Sequence, residues 1–195
     1  CIGNGAISNA AVLHLPLPAR VLPMNAEQPR SKQQGPRESA VSIRACHGPN
    51  ALDGLAFHES LKTYPQYKPI VSGVDTLRQA AADPERRVVV GVSGKWIVGF
   101  ALLEPPSRKE RWSRLGPGQI LEVSVIEVAR VFRGRGLSQE LLHALLQQPK
   151  KEERIIYMVG YSWTWDLDGD GMPPMAYRNR LIRLFEREGF ETAQT

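Results

Sequence analysis

Apolar residues fall into two rhythms along this chain, and the switch between them marks out a domain of alternating strands and helices. Arg87-Val88-Val89-Val90-Gly91-Val92 and Trp96-Ile97-Val98-Gly99-Phe100-Ala101-Leu102-Leu103 are compact apolar runs separated by Ser93-Gly94-Lys95. A short glycine-containing connection between two such runs predicts a β-hairpin. Ile120 to Val128, rich in Val and Ile, predicts a third and longer strand. The period then lengthens. Leu137, Leu141, Leu142, Leu145 and Leu146 recur at the spacing of an amphipathic helix over 137–148. Arg154 to Tyr161 predicts a fourth strand. Met175 to Glu188 predicts a second amphipathic helix that stops at Gly189, a residue type suited to the left-handed position after a helix.

Upstream the pattern is weaker. Val41 to Ala45 predicts a short strand that opens the domain. Residues 50–82 read as mostly helical, with Pro65 and Pro69 breaking the run and Val74 to Ala82 the clearer helix. The order β-β-β-α-β-α implies an α/β fold with a mixed sheet. Residues 1–40 carry Pro16, Pro18, Pro23, Pro29 and Pro36 and a polar run from Arg30 to Gly35. Such a segment buries too little apolar surface to offset its ordering entropy, so it reads as a flexible Pro-rich tail ahead of a single domain over 41–195.

Composition changes this picture only at the margins. The 195 residues include 25 Lys and Arg against 20 Asp and Glu, a net charge of +5 that favours acidic partners without choosing among them. No basic run with interleaved aromatics points to nucleic acid, and no apolar run approaches the roughly 20 residues of a membrane helix. Cys1 and Cys46 provide neither a disulfide framework nor metal-ligand spacing, so a reducing cytoplasm and a metal-free protein are expected.

The candidate chemistry lies between the long strand and the helix after it. Arg133-Gly134-Arg135-Gly136-Leu137-Ser138 places two glycines and two arginines directly before a helix N-terminus. Gly134 and Gly136 allow the backbone to approach a ligand and turn its N–H groups inward, and the helix dipole adds partial positive charge. The guest such a loop suits is a phosphate or pyrophosphate. The loop is not a Walker motif, because no Gly-Lys-Ser/Thr follows. It is a poor dinucleotide fingerprint as well, because a hairpin precedes it.

The same six residues resemble the Arg/Gln-x-x-Gly-x-Gly/Ala signature of the GNAT acetyltransferases, with Ser138 in the last position where Gly or Ala is usual. The hairpin with Ile97-Val98-Gly99-Phe100, the strand ending at Val128 and Leu184-Phe185-Glu186-Arg187-Glu188-Gly189-Phe190 extend the likeness over roughly residues 86–190. Glu110-Arg111-Trp112-Ser113, Leu121 to Val128, Gly160 to Leu167 and Tyr177-Arg178 further resemble the bacterial acetoin-utilisation type of protein acetyltransferase.

The resemblance implies a mostly antiparallel mixed sheet flanked by helices and an acetyl-CoA co-substrate. It implies an N-acetyltransferase whose acceptor is a lysine of an acetyl-CoA synthetase, switched off by the modification. Two alternatives stand beside it: an enzyme for a small amine such as an amino acid or polyamine, and a CoA-sensing domain that has lost catalysis. It also implies roles for individual residues. The strand before the loop would splay from its neighbour and present Ile126, Glu127 and Val128 to the pantetheine arm. The amides of Arg133, Gly134, Arg135, Gly136, Leu137 and Ser138 would hold the pyrophosphate. A lysine amine is almost wholly protonated at neutral pH, so a base is useful. Glu122 is the first candidate, six residues before Val128, where the histone-acetyltransferase branch keeps its base. Glu127 is the second, on the opposite strand parity. Many members carry an acid tyrosine where this chain has Phe185, which leaves Tyr177 as a substitute.

Three further expectations complete the reading. Asp166-Leu167-Asp168-Gly169-Asp170-Gly171 opens like a calcium loop, but its twelfth position is Tyr177 rather than Glu, so a polar turn before a helix is the better reading. Trp163 and Trp165 fall on one face of the end of the fourth strand. The family usually has more strands after the second helix than this chain has room for, so the C-terminal part of the sheet is expected to be missing, leaving an open edge that favours self-association.

Overall fold

The computed structural model describes residues 12–14, 40–61, 71–108, 119–147 and 154–193. Eight strands form one sheet: β1 (Val12–His14), β2 (Ser42–Cys46), β3 (Ala56–Phe57), β4 (Arg87–Ser93), β5 (Trp96–Glu104), β6 (Ile120–Val128), β7 (Ile155–Val159) and β8 (Glu191–Ala193). Their order across the sheet is β2-β4-β5-β6-β7-β1-β8, with the two residues of β3 pairing with β5. Pairing is antiparallel except for β3 with β5 and β6 with β7. The helices are α1 (Val74–Ala82), α2 (Leu137–Leu146), α3 (Leu167–Asp170) and α4 (Pro174–Glu186).

Burial explains the middle of the sheet. Along β5 every side chain from Ile97 to Leu103 is buried, as befits a strand with neighbours on both edges and layers on both faces. α2 lies over β4 and β5 through its leucine stripe. Leu141, Leu142 and Leu145 are fully buried, each stabilising the fold by about 2 kcal/mol relative to exposure. Helix and sheet meet at two glycines. A Cβ at Gly99 would lie 2.9 Å from Leu141 Cδ1 and 3.0 Å from the Glu127 carbonyl oxygen, and one at Gly91 would lie 3.1 Å from Leu137 Cδ1.

Several sequence expectations need correction. The run 50–82 is not mostly helical: 3₁₀ turns occupy Pro49–Leu52 and Glu59–Leu61 around β3, and α1 is the one α-helix described there. Short turns suffice because each has one anchoring leucine to bury, Leu52 or Leu61, while Ala56 and His58 donate backbone hydrogen bonds to Lys95 and Ile97. Pro65 and Pro69 lie outside the described residues. The tail reading fails for Val12–His14, which pairs with β7 on one side and β8 on the other; the rest of the segment up to residue 39 lies outside the described residues. The expectation of missing C-terminal strands needs the same amendment, since Glu191–Ala193 forms β8 against β1. β7 stops at Val159, two residues short of the predicted Tyr161, and a 3₁₀ turn follows at Ser162–Thr164. Trp163 and Trp165 therefore share no strand face.

One irregularity positions the site. Leu102 pairs with Val125, whereas Leu103 pairs with Val123. β5 advances one residue while β6 advances two, so Ser124 is an extra residue, a β-bulge. A bulge reverses the alternation of side chains beyond it. Glu127, opposite Phe100, and Glu122, opposite Glu104, consequently fall on the same face of the sheet. The opposite parity expected from regular spacing does not hold.

Candidate active site

β6 and β7 pair at Ile120 with Ile155, Leu121 with Ile156 and Glu122 with Tyr157, and there the ladder ends. Both strands run on, to Val128 and Val159, so they separate beyond the Glu122–Tyr157 rung. A strand edge without its neighbour presents backbone N–H and C=O groups to any extended ligand that lies alongside. Ile126, Glu127 and Val128 occupy that stretch and line a cavity of about 320 Å³, together with the 134–138 loop and one side of α4. A second cavity of about 80 Å³ lies where the strands diverge, between Val123–Ile126 and Met158–Gly160. The two share Ile126, Tyr177 and Leu181 in their walls.

The loop at the outer end has the backbone its sequence predicts. Gly134 (φ 77°) and Gly136 (φ 84°) adopt left-handed conformations that L-residues avoid, and a Cβ at either would meet nothing within 4 Å. The space above both glycines is open to a ligand. Gly136 caps α2, its carbonyl accepting from the amides of Gln139 and Glu140. The first N–H groups of a helix have no acceptor within it. Those of Leu137 and Ser138 therefore add to the dipole in making an anion seat, while the Leu137 side chain itself is buried in the core.

The arginines of the loop act differently from their expected role as bare positive charge. Arg133 donates through Nε to the Val128 carbonyl at 3.0 Å, and through Nη1 to Asp166 Oδ2 at 2.8 Å and Asp170 Oδ1 at 2.9 Å. Arg130 forks onto the Asp166 carboxylate, and Arg180 pairs with Asp170. Burial pulls the Arg133 guanidinium toward neutrality, but bonds and charge from both aspartates outweigh it and hold its pKa above the ordinary value. Asp166 shows the complementary balance: burial raises its pKa, but Arg130 and Arg133 outweigh that and hold it below the usual carboxylate range. Arg135 donates to the Val131 carbonyl at 3.2 Å and lies 5.6 Å from the Phe132 ring centroid. Both loop arginines thus brace the loop.

The acidic turn that resembled a calcium loop is the other half of this brace. Asp166 caps the four-residue α3 by accepting from the Gly169 amide, and its second function is to bind two arginines. Arg130, Asp166, Asp170 and Arg180 were not singled out as site residues from sequence. The available signal was Asp166 and Asp170 four apart, facing arginines three apart at 130 and 133.

The three catalytic candidates are not equally placed. Glu127 is 6% exposed and lines the larger cavity. Glu122 lines neither cavity; it sits at the vertex of the separating strands, one residue from the wall of the smaller one, and accepts a hydrogen bond from the Tyr157 hydroxyl at 3.1 Å. Tyr177 lines both cavities, stacks on Trp165 with centroids 5.3 Å apart and has the Arg180 guanidinium 4.7 Å from its own centroid. Burial raises its pKa further than Arg133 and Arg180 lower it, so the phenol stays protonated at neutral pH. Phe185 is fully buried, edge-on to Phe190. Glu110-Arg111-Trp112-Ser113 lies outside the described residues, as does the Trp163 side chain.

These features fit one ligand shape: a diphosphate at the glycine loop, an extended arm along β6, and a small reactive end near the strand vertex. A family model described as "Acetyltransferase (GNAT) family" matches residues 54–164, more than half of the chain. The acetoin utilization protein AcuA of Bacillus licheniformis is 28% identical over 159 residues, covering 82% of this chain and 74% of that protein. Its counterpart in Bacillus subtilis is 29% identical over 152 residues, covering 78% and 72%. The crystal structure of an acetoin utilization protein from Exiguobacterium sibiricum superposes with a TM-score of 0.65 at 25% identity, covering 78% of this chain and 76% of that one.

Proposed function

The chain belongs to the GNAT acetyltransferase family, and from that premise we propose that it transfers the acetyl group of acetyl-CoA directly to a lysine ε-amine of a protein, with an acetyl-CoA synthetase-like enzyme as the regulatory target. The observation that carries the donor half is the continuity of the glycine loop, the edge of β6 beyond its pairing with β7 and the vertex cavity. Gly134 to Ser138 hold the pyrophosphate through backbone N–H groups, and Ile126 to Val128 bond the pantetheine arm. Arg133 contributes by bracing that loop against Asp166 and Asp170.

For the acceptor half, the cavity walls count against a free polyamine. Among the described residues their carboxylates are Glu127 and Asp166, and Asp166 is already ion-paired with Arg130 and Arg133. A small polycation would find few carboxylates there to bind its several amines. A lysine side chain on a protein surface brings one amine and needs only the vertex. Glu122 removes the proton from the incoming ammonium, with Tyr157 orienting its carboxylate. The freed amine attacks the thioester carbon, the C–N bond forms and the C–S bond then breaks, Tyr177 protonates the departing thiolate, and the second proton lost by nitrogen restores the Tyr177 hydroxyl.

The test is to incubate the protein with acetyl-CoA and either an acetyl-CoA synthetase or a panel of amino acids and polyamines, reading N-acetylation by mass spectrometry. Stoichiometric acetylation of one synthetase lysine, with the panel unmodified, is expected. Turnover of a small amine in preference to the protein would overturn the acceptor assignment.

A further inference from the structure

The smaller cavity has an electrostatic character that neither base nor acid explains. Trp165 Nε1 and Ser124 Oγ are both buried without a hydrogen-bond partner among the described residues, and both residues line this one cavity. Leaving a buried polar group unpaired is costly, and native structures rarely do so without a reason such as a catalytic role or a bound guest. Each residue is where it is for a structural cause. Ser124 is the extra residue of the β6 bulge, which takes it out of the ladder with β5. Trp165 follows the 3₁₀ turn at Ser162–Thr164 and is held by its stack on Tyr177 and by its neighbour Asp166, fixed by two arginines.

The chemistry of the two atoms narrows the guest. An indole N–H only donates, and a hydroxyl both donates and accepts. An ammonium, which only donates, cannot satisfy Trp165. A carbonyl oxygen, with two lone pairs, can satisfy both groups. Building on the acetyl-CoA reading above, we propose that Trp165 and Ser124 bind the thioester carbonyl oxygen and stabilise the charge it gains as the amine attacks. In that step nitrogen bonds to the carbonyl carbon, the C=O electron pair moves onto oxygen, and its return expels the thiolate. Glu122 has by then taken the ammonium proton, and the second proton leaves nitrogen for the Tyr177 oxygen that protonated the thiolate. Donors fixed in place before reaction are an effective way to lower such a barrier. Room for the group is adequate: about 80 Å³ exceeds what a single water requires.

The experiment compares three ligands by calorimetry: acetyl-CoA, CoA, and S-ethyl-CoA, a thioether of similar size without the carbonyl oxygen. Wild-type protein is expected to bind acetyl-CoA about ten-fold more tightly than S-ethyl-CoA. Trp165→Phe, which keeps a ring to stack on Tyr177, and Ser124→Ala, nearly isosteric and safe for folding, should each shrink that ratio toward one while leaving CoA affinity within about three-fold. Both should lower kcat by 10- to 1,000-fold, with KM for acetyl-CoA little changed. Equal affinity of the wild type for acetyl-CoA and S-ethyl-CoA, or unchanged ratio and kcat in Ser124→Ala, would overturn the proposal while the acetyltransferase reading stood. Failure of folded wild type to bind any of the three would overturn both.

Discussion

Arg133 and Asp166 join at 2.8 Å, with Asp166 only 5% exposed as a side chain, so the residue that starts the anion loop is fixed to the connection between β7 and α4. These segments are 33 residues apart in sequence. The pair makes the geometry of the proposed cofactor seat depend on another wall of the larger cavity, where Tyr177 and Arg180 stand.

Replacing Asp166 by Asn keeps the shape and the cap on Gly169 but leaves Arg130 and Arg133 without their shared charge. Removing one partner of a buried ion pair costs up to about 3–5 kcal/mol; with both arginines partly solvated, a loss of about 1–3 kcal/mol is expected in denaturant titration. Since the folded pKa of Asp166 is depressed, its contribution is present above the unfolded value near 3.9 and disappears as pH falls through the folded one. The gap between wild type and Asp166→Asn should stay constant from pH 5 to 8 and narrow below about pH 4. A gap that widened on acidification would contradict the pairing.

Gly99 carries the close approach of α2 to the sheet. Gly99→Ala places a methyl 2.9 Å from Leu141 and 3.0 Å from the Glu127 carbonyl, next to the strand edge assigned to pantetheine. Overpacking of this kind costs about 1–3 kcal/mol. Thermal unfolding should show that loss together with a rise in KM for acetyl-CoA. A variant with wild-type stability and KM would mean that helix and strand are not in contact as described.

Glu122→Gln should lower kcat at neutral pH by about 100-fold or more, with a smaller deficit at higher pH, where more of the lysine is already neutral. Tyr157→Phe, which only loosens the carboxylate, should cost less than ten-fold. If Glu127→Gln gives the larger defect and Glu122→Gln almost none, the base is the glutamate inside the cavity.

Tyr177→Phe preserves the ring that stacks on Trp165 and deletes the hydroxyl. A fall in kcat of about 100-fold with little change in KM is the expected result. Because burial raises the phenol pKa, no alkaline loss of activity below about pH 10 should trace to this residue. An unchanged kcat would exclude it as the acid.

Much of this architecture was legible because local and global signals agree. The hairpin, Ile120–Val128 and the Leu137–Leu146 stripe each bury a continuous apolar set, so pattern alone places them. The glycine loop was legible because Gly134 and Gly136 need conformations that few other residues accept. What escaped depends on pairing over long separations. The bulge at Ser124 leaves no mark in β6 itself and appears only against β5, which is why Glu122 and Glu127 were read onto opposite faces. Val12–His14 has no periodicity of its own and becomes a strand through β7 and β8. Arg133 looked like a ligand-facing charge because its partners, Asp166 and Asp170, lie in a different segment.

The most direct test of the central claim is calorimetric titration of CoA into the protein and into Gly136→Asp. Position 136 combines a left-handed backbone with open space above it, so the new side chain would be strained and would set a negative charge where the pyrophosphate belongs. Micromolar binding by the wild type and a loss of at least 100-fold in a folded variant is the predicted result. Equal affinity in the two proteins would place CoA elsewhere and contradict the assignment of the 134–138 loop.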